Sequence, residues 1–354
     1  MSSFAAGAAS SSSKESTKES SPRPYMESQS AAMPTLSTVS SRPTIIIVVG
    51  MAGSGKTTFL TRLYRTLEND GYYINLDPAC KTLPFPAQID IRDTVNYQKV
   101  MQDYDLGPNG AIVTSLNLFS TKIDQVLGIL ERRCDDAASN FKYIVVDTPG
   151  QIEAFTWSAS GSMITEAFSS SFPTIMTFVA DTPRCANPST FMSTMLYSCS
   201  MMYRSRVPMV VAFNKTDLVD CTAIKSWMDD YEAFQVALDE AESRGGAGGG
   251  CYYDSLNRSM ALCLDNYYKT LPSCGVSSAT GDGVDEFFKL VADGRKEYLE
   301  VYWQDREKRR NELHGPEGDK RKEEMERFDR DTQQDQEVSD DKEAAVAGKG
   351  EVVK

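Results

Sequence analysis

The amino-acid sequence predicts an α/β fold in which a mostly parallel sheet is flanked by helices, with disordered N- and C-terminal tails. Three observations carry that expectation. The run Thr44-Ile-Ile-Ile-Val-Val-Gly50 is short, β-branched and continuously apolar, which suits a parallel strand covered on both faces. After a glycine-rich turn, Phe59, Leu60, Leu63 and Leu67 recur at helical spacing. Similar apolar runs then alternate with segments long enough for crossover helices, the pattern of a parallel sheet.

In chain order, residues 1–41 are rich in Ser, Ala and Pro with almost no apolar periodicity, so they are expected to form a disordered tail. No apolar run after Met1 resembles a secretory signal, and Glu15 and Glu19 argue against a transit peptide. Residues 42–303 hold the folded domain. Its first strand is followed by the helix of Phe59 to Leu67, which stops at Asn69-Asp70-Gly71. Further strands are expected at Tyr72 to Leu76, Tyr143 to Asp147, Ile175 to Ala180 and Pro208 to Phe213, with a last one at Gly275 to Ser278 and a closing helix over Gly283 to Tyr302. The glycine cluster between Arg244 and Gly250 reads as a flexible insertion, because no strand precedes it and no Lys-Ser/Thr follows. Residues 304–354 are a charged tail, partly helical or disordered.

Composition removes several classes of function. Over 354 residues, 37 Lys and Arg stand against 50 Asp and Glu, a net charge of −13 that opposes direct binding to nucleic acid or to an anionic membrane. No stretch reaches the roughly 18–20 apolar residues of a membrane helix. The eight cysteines include no C-x-x-C pair, which fits reduced thiols in a cytoplasmic or nuclear setting better than a disulfide framework or a zinc site. His314 is the single histidine and lies in the charged C-terminal region, so Ser-His or Cys-His catalysis and His-rich metal sites are excluded.

The chemistry lies in three separated motifs. Gly50-Met51-Ala52-Gly53-Ser54-Gly55-Lys56-Thr57, with Thr58 behind it, matches G-x-x-x-x-G-K-[ST] between a buried strand and an amphipathic helix, which makes the fold class that of a P-loop NTPase. Its backbone N–H groups would face phosphates, Lys56 would reach the β- and γ-phosphates, and the Thr57 hydroxyl would bind Mg2+. Asp147 ends a second strand ahead of Thr148-Pro-Gly150-Gln151, suited to hold Mg2+, with Gly150 as the hinge of a γ-phosphate-sensing loop. Asn214-Lys215-Thr216-Asp217 follows a third strand. Its Asp217 carboxylate can accept from guanine N1–H and the 2-amino group, donors adenine lacks, so GTP is the expected substrate. Asn214 would order neighbouring loops or touch the base edge, Lys215 would pack along the ring, and Ser278 and Ala279 would offer backbone donors. The Met-rich stretch Phe191 to Tyr203 reads as core packing, with a client groove as the alternative.

These motifs, with Gly107-Pro108-Asn109 between the first two, resemble those of the GPN-loop GTPases. Ile91 to Tyr97, Leu106 to Gly110, Phe155 to Gly161 and Asp181-Thr-Pro-Arg184 are similar to the type-1 branch of that family, whose role is assembly and nuclear import of RNA polymerase II. The resemblance, from about Ile45 to Tyr302, implies a homodimer, or a heterodimer with a GPN-loop paralogue, in which Asn109 reaches the partner's phosphates. It also implies that Asp77 positions or deprotonates the attacking water, helped by Gln151 and Glu153. Polymerase subunits or assembly factors as partners, and shuttling from cytoplasm to nucleus, are further implications. A P-loop kinase and a non-catalytic nucleotide-dependent scaffold are the competing readings.

Overall fold

A computed structural model describes residues 35–136, 141–244 and 250–314. Seven strands form one sheet: β1 (Thr44–Val49), β2 (Gly71–Asn75), β3 (Ile89–Asp90), β4 (Tyr143–Asp147), β5 (Thr174–Asp181), β6 (Met209–Asn214) and β7 (Ser273–Val276). Their order across the sheet is β3-β2-β4-β1-β5-β6-β7, and every neighbouring pair is parallel. The apolar run of β1 takes the middle of the sheet because both of its faces need cover. Ile45, Ile47 and Val49 enter one apolar core and Ile46 and Val48 the other, the two-residue alternation of a pleated strand.

The second core is closed by the helices Lys56–Leu67 and Val284–Glu297, whose Phe59 and Phe287 rings meet edge to face at 5.2 Å. Helices on the opposite face, among them Pro108–Ser120, Ala159–Ser171 and Pro188–Ser205, bury Leu116, Phe168 and Phe191 in the larger core. Phe191, Met192, Met195 and Met201 are buried there, so the Met-rich stretch is mainly core, with Tyr203 exposed at its end. Gly161 allows one close approach: a Cβ there would collide with the Phe155 carbonyl, so only glycine lets the helix Ala159–Ser171 begin directly against the segment Ile152–Thr156.

Several boundaries differ from expectation. β7 ends at Val276, not Ser278, because the Ser277 N–H donates to the Asp282 carbonyl and the Ser278 N–H to the Asn214 side chain. β3 was not anticipated; it is two residues long and pairs Ile74 with Ile89 and Asn75 with Asp90. The closing helix passes through a π-helical turn at Tyr298–Tyr302 and continues as Trp303–His314. Tyr298 and Trp303 pack on Val39, which belongs to a helix, Leu36–Ser41, inside the stretch expected to be disordered. Arg295 holds that helix by donating to Ser40 O at 2.7 Å and to Thr44 Oγ1 at 2.6 Å. The expected disorder of residues 1–34, the glycine cluster at 245–249 and the tail beyond His314 lie outside the described residues. No helix among the described residues is long and apolar enough to cross a membrane.

Candidate functional site

Because all seven strands are parallel, their carboxyl ends deliver loops to one edge of the sheet. The loop after β1 curls through Gly53 and Gly55, at φ +82° and +90°, and enters the helix at Lys56. A Cβ on Gly55 would stand 2.5 Å from Asn214 Nδ2, so this glycine also admits the neighbouring loop. Lys56 is buried and folds back over the loop, its Nζ donating to Gly50 O at 2.5 Å and Met51 O at 3.2 Å. Burial lowers its pKa, against the pull of Asp147, Asp77 and Glu153.

Asp147 ends β4, in register with Val48 on one side and Asn75 on the other. Thr148 fixes the following turn by donating to Val48 O at 2.7 Å. Burial, reinforced by Asp77, pushes the Asp147 carboxyl up to about 7, while Lys56 and the Thr148 N–H oppose the rise. Asp77 is raised by burial too, partly offset by the N–H groups of Ala79 and Gly150 and by Lys56 and Arg92. Two mutually repelling acids next to one ammonium form a donor set suited to a hard divalent cation. The described residues hold no cluster of three His, Cys, Asp or Glu groups that could bind a metal alone. Thr57 and Asp147 therefore fit Mg2+ as a protein half-site completed by phosphate oxygens and water, the usual habit of that ion.

A bracket behind Asp77 was not recognised in the sequence. Asn75 accepts from the Asp77 N–H at 3.0 Å and donates to Asp77 O at 3.3 Å and Asp90 Oδ1 at 3.0 Å. Arg92 pairs with Asp90 at 2.6 Å and donates to Cys80 O at 3.0 Å, so the loop that follows β2 is tied at both ends. In the sequence Arg92 stood out only as part of Ile91 to Tyr97, a stretch similar to the type-1 branch, and neither it nor Asp90 was given a role.

On the other flank, Asn214 at the end of β6 donates to Ser54 O at 3.0 Å, and its Oδ1 accepts from Ser278 N at 3.2 Å and Ser278 Oγ at 2.7 Å. It orders loops, the first of its two expected roles. Lys215 sits at φ +69° and its Nζ donates to Gly53 O at 2.8 Å, which draws its stem over the phosphate loop. Ser277 Oγ donates to Asp217 Oδ1 at 2.7 Å, orienting that carboxylate. Ala279 lies beside a cavity of about 280 Å³ that runs along the helix Lys56–Leu67, lined also by Thr57, Thr58, Thr61, Arg62, Arg65, Pro84 and Ser278.

The remaining expected residues are less tightly gathered. Gln151 and Glu153 are exposed at the start of the helix Ile152–Thr156, with Glu153 near enough to act on Lys56. Gly107, Pro108 and Asn109 form an exposed start to the helix Pro108–Ser120, and the Asn109 side chain makes no hydrogen bond with the described residues. Tyr97 links this segment to the site, donating to Pro108 O at 3.2 Å while lying in the field of Asp77.

A family model described as "Conserved hypothetical ATP binding protein" matches residues 48–296. The chain is 53% identical over 271 residues to GPN-loop GTPase 1 of Saccharomyces cerevisiae, a match covering 75% of this chain and 69% of that protein. It is 52% identical over 266 residues to GPN-loop GTPase 1 of Schizosaccharomyces pombe, covering 74% of this chain and 71% of that one. Among solved structures, a GTPase from Pyrococcus abyssi in apo form aligns with a TM-score of 0.60 and 24% identity, over 72% of this chain and 98% of its own, a likeness of fold.

Proposed function

Since the chain belongs to the GPN-loop GTPase family, we propose that it binds GTP with Mg2+, hydrolyses it to GDP and phosphate, and uses the turnover to switch a dimer. The matched family description speaks of ATP and the relatives' names of GTP. The oriented carboxylate of Asp217 favours GTP: with one oxygen held by Ser277 Oγ, it stands ready to accept from a base that carries two adjacent donors, as guanine does and adenine does not. That single contact carries the choice of base.

Around bound nucleotide, the phosphate oxygens take over the donors of the loop from Gly50 to Thr58, and Lys56 exchanges its carbonyl partners for the β- and γ-phosphates. Thr57 and Asp147 would hold Mg2+, which supplies charge neutralisation across those phosphates. Asp77, braced by Asn75, accepts the proton of the attacking water or orients it, with Gln151 and Glu153 closing over it as the switch segment orders. Asn109, exposed and without a side-chain hydrogen bond among the described residues, would serve a partner's site. Purified protein should hydrolyse GTP in preference to ATP, and Lys56→Ala should lower the rate by at least about 100-fold; unchanged turnover in that variant would refute the assigned site.

The output of the switch is proposed to be assembly and nuclear import of RNA polymerase II, in a protein that moves between cytoplasm and nucleus. Support comes from the motif set Ile91 to Tyr97, Phe155 to Gly161 and Asp181 to Arg184. Complexes purified with GTP or with GDP should retain polymerase subunits or assembly factors to different extents; a partner set without any polymerase component would discard this role.

A further inference from the structure

The phosphate loop contains no arginine, yet one reaches it from the strand on its other side. β5 ends at Asp181, and one turn later Arg184 returns over the loop. Its Nη1 donates to Ala52 O at 3.3 Å and its Nε lies 3.4 Å from Asp181 Oδ2. The same carboxylate oxygen receives Lys215 Nζ at 3.0 Å, and Lys215 donates in turn to Gly53 O at 2.8 Å. One buried carboxylate thus holds two cations, each on a carbonyl at the apex of the loop, and the cluster keeps one net positive charge within a chain of net charge −13. Arg184 Nη2 has no partner among the described residues and is the nearest atom to the open side of Gly53, 3.4 Å from where a Cβ would stand. The unpartnered edge of the guanidinium therefore lies at Gly53, within the loop expected to hold the phosphates.

We propose that Arg184 contacts the terminal phosphate of bound nucleoside triphosphate from within the same chain, with Asp181 as its positioning residue. The inference rests on the GTP reading above. Through Asp181 the arginine is also joined to Lys215, and so to the loop that reads the base; occupancy of the base site and charge at the phosphate end share one anchor. A guanidinium stabilises charge spread over phosphoryl oxygens, and its planar fork does so in a way an ammonium reproduces only in part.

The test compares two ligands that differ by one phosphate. Calorimetric affinities for GDP and for a non-hydrolysable GTP analogue, both with Mg2+, are measured on the full chain and on Arg184→Ala, Arg184→Lys and Asp181→Asn. Arg184→Ala should weaken the triphosphate analogue about tenfold more than GDP, Arg184→Lys should restore part of that preference, and Asp181→Asn should lose part of it. Arg184 is largely exposed, so its replacement leaves the core intact. Equal weakening of both ligands would reduce Arg184 to a brace and overturn the proposal, as would no weakening of either. An unaltered chain that binds neither ligand would remove the GTP reading itself, an outcome distinct from failure of Arg184 alone.

Discussion

Lys56, Asp147 and Asp217 lie more than 60 positions apart in pairs, yet Lys56 begins a helix, Asp147 ends a parallel strand and Asp217 follows the end of another by three residues, so all three belong to the carboxyl edge of the sheet. At this scale the most discriminating residue is Asp217. On the proposed reading its carboxylate would accept two hydrogen bonds from guanine, whereas an amide in its place would offer a donor where guanine already presents one. Xanthine carries a carbonyl in place of the 2-amino group, so Asp217→Asn should cost GTP about 1–3 kcal/mol, on the order of 10- to 100-fold in affinity, and improve xanthosine triphosphate correspondingly. Parallel titrations of the two nucleotides check this; a uniform loss for both would mean that Asp217 shapes the loop and does not read the base. Lys56 was legible as a site residue from its motif. Its buried posture on Gly50 and Met51 carbonyls was not, because it depends on how the loop closes.

The elements that present these residues differ in how they are held. The loop after β2 is anchored by buried Leu76 and Pro78 on either side of Asp77 and is tied further by Asn75, Asp90 and Arg92. Burial alone would raise the Asp90 carboxyl, but the side-chain and backbone bonds of Arg92 and the amide of Asn75 more than reverse it, leaving a pKa below the ordinary 3.8. A depressed acid stabilises the fold in its ionised form: the contribution is present in full above the ordinary carboxylate value and is lost as pH falls through the lower, folded one. Asp90→Asn should therefore lower the melting temperature near neutral pH, by an amount reflecting about 1–3 kcal/mol for a charge-assisted bond, and the gap to the unaltered protein should narrow in strong acid. A gap of constant size across that range would show that the ionised form of Asp90 contributes nothing. Periodicity marked β1 and the helix after it, but β3 is too short for a pattern, and β7 was displaced by two residues because Asn214 and Asp282 draw Ser277 and Ser278 off the ladder.

At the scale of the whole molecule, the exposed Gly107-Pro108-Asn109 corner raises the matter of a second copy. If Asn109 completes a partner's site, Lys56→Ala and Asn109→Ala proteins should each be nearly inactive alone. Mixed under conditions that exchange subunits, they should recover part of the activity, since one site in each mixed dimer has an intact Lys56 facing an intact Asn109. Hydrolysis measured before and after mixing decides this, and no recovery would assign Asn109 to its own chain. The sequence by itself determined the sheet's central strand, the phosphate loop, the acidic end of β4 and the Asn214 to Asp217 motif after β6, because each depends on a local pattern: continuous apolar residues, fixed glycines, or a carboxylate after a buried run. It did not determine that Val39 lies against Trp303, that Arg92 braces the loop of Asp77, or that Arg184 leans on Ala52. Those pairings join residues tens to hundreds of positions apart, and a charged side chain in the sequence carries no mark of which distant carbonyl or carboxylate the folded sheet will set beside it. Only tertiary structure decides them.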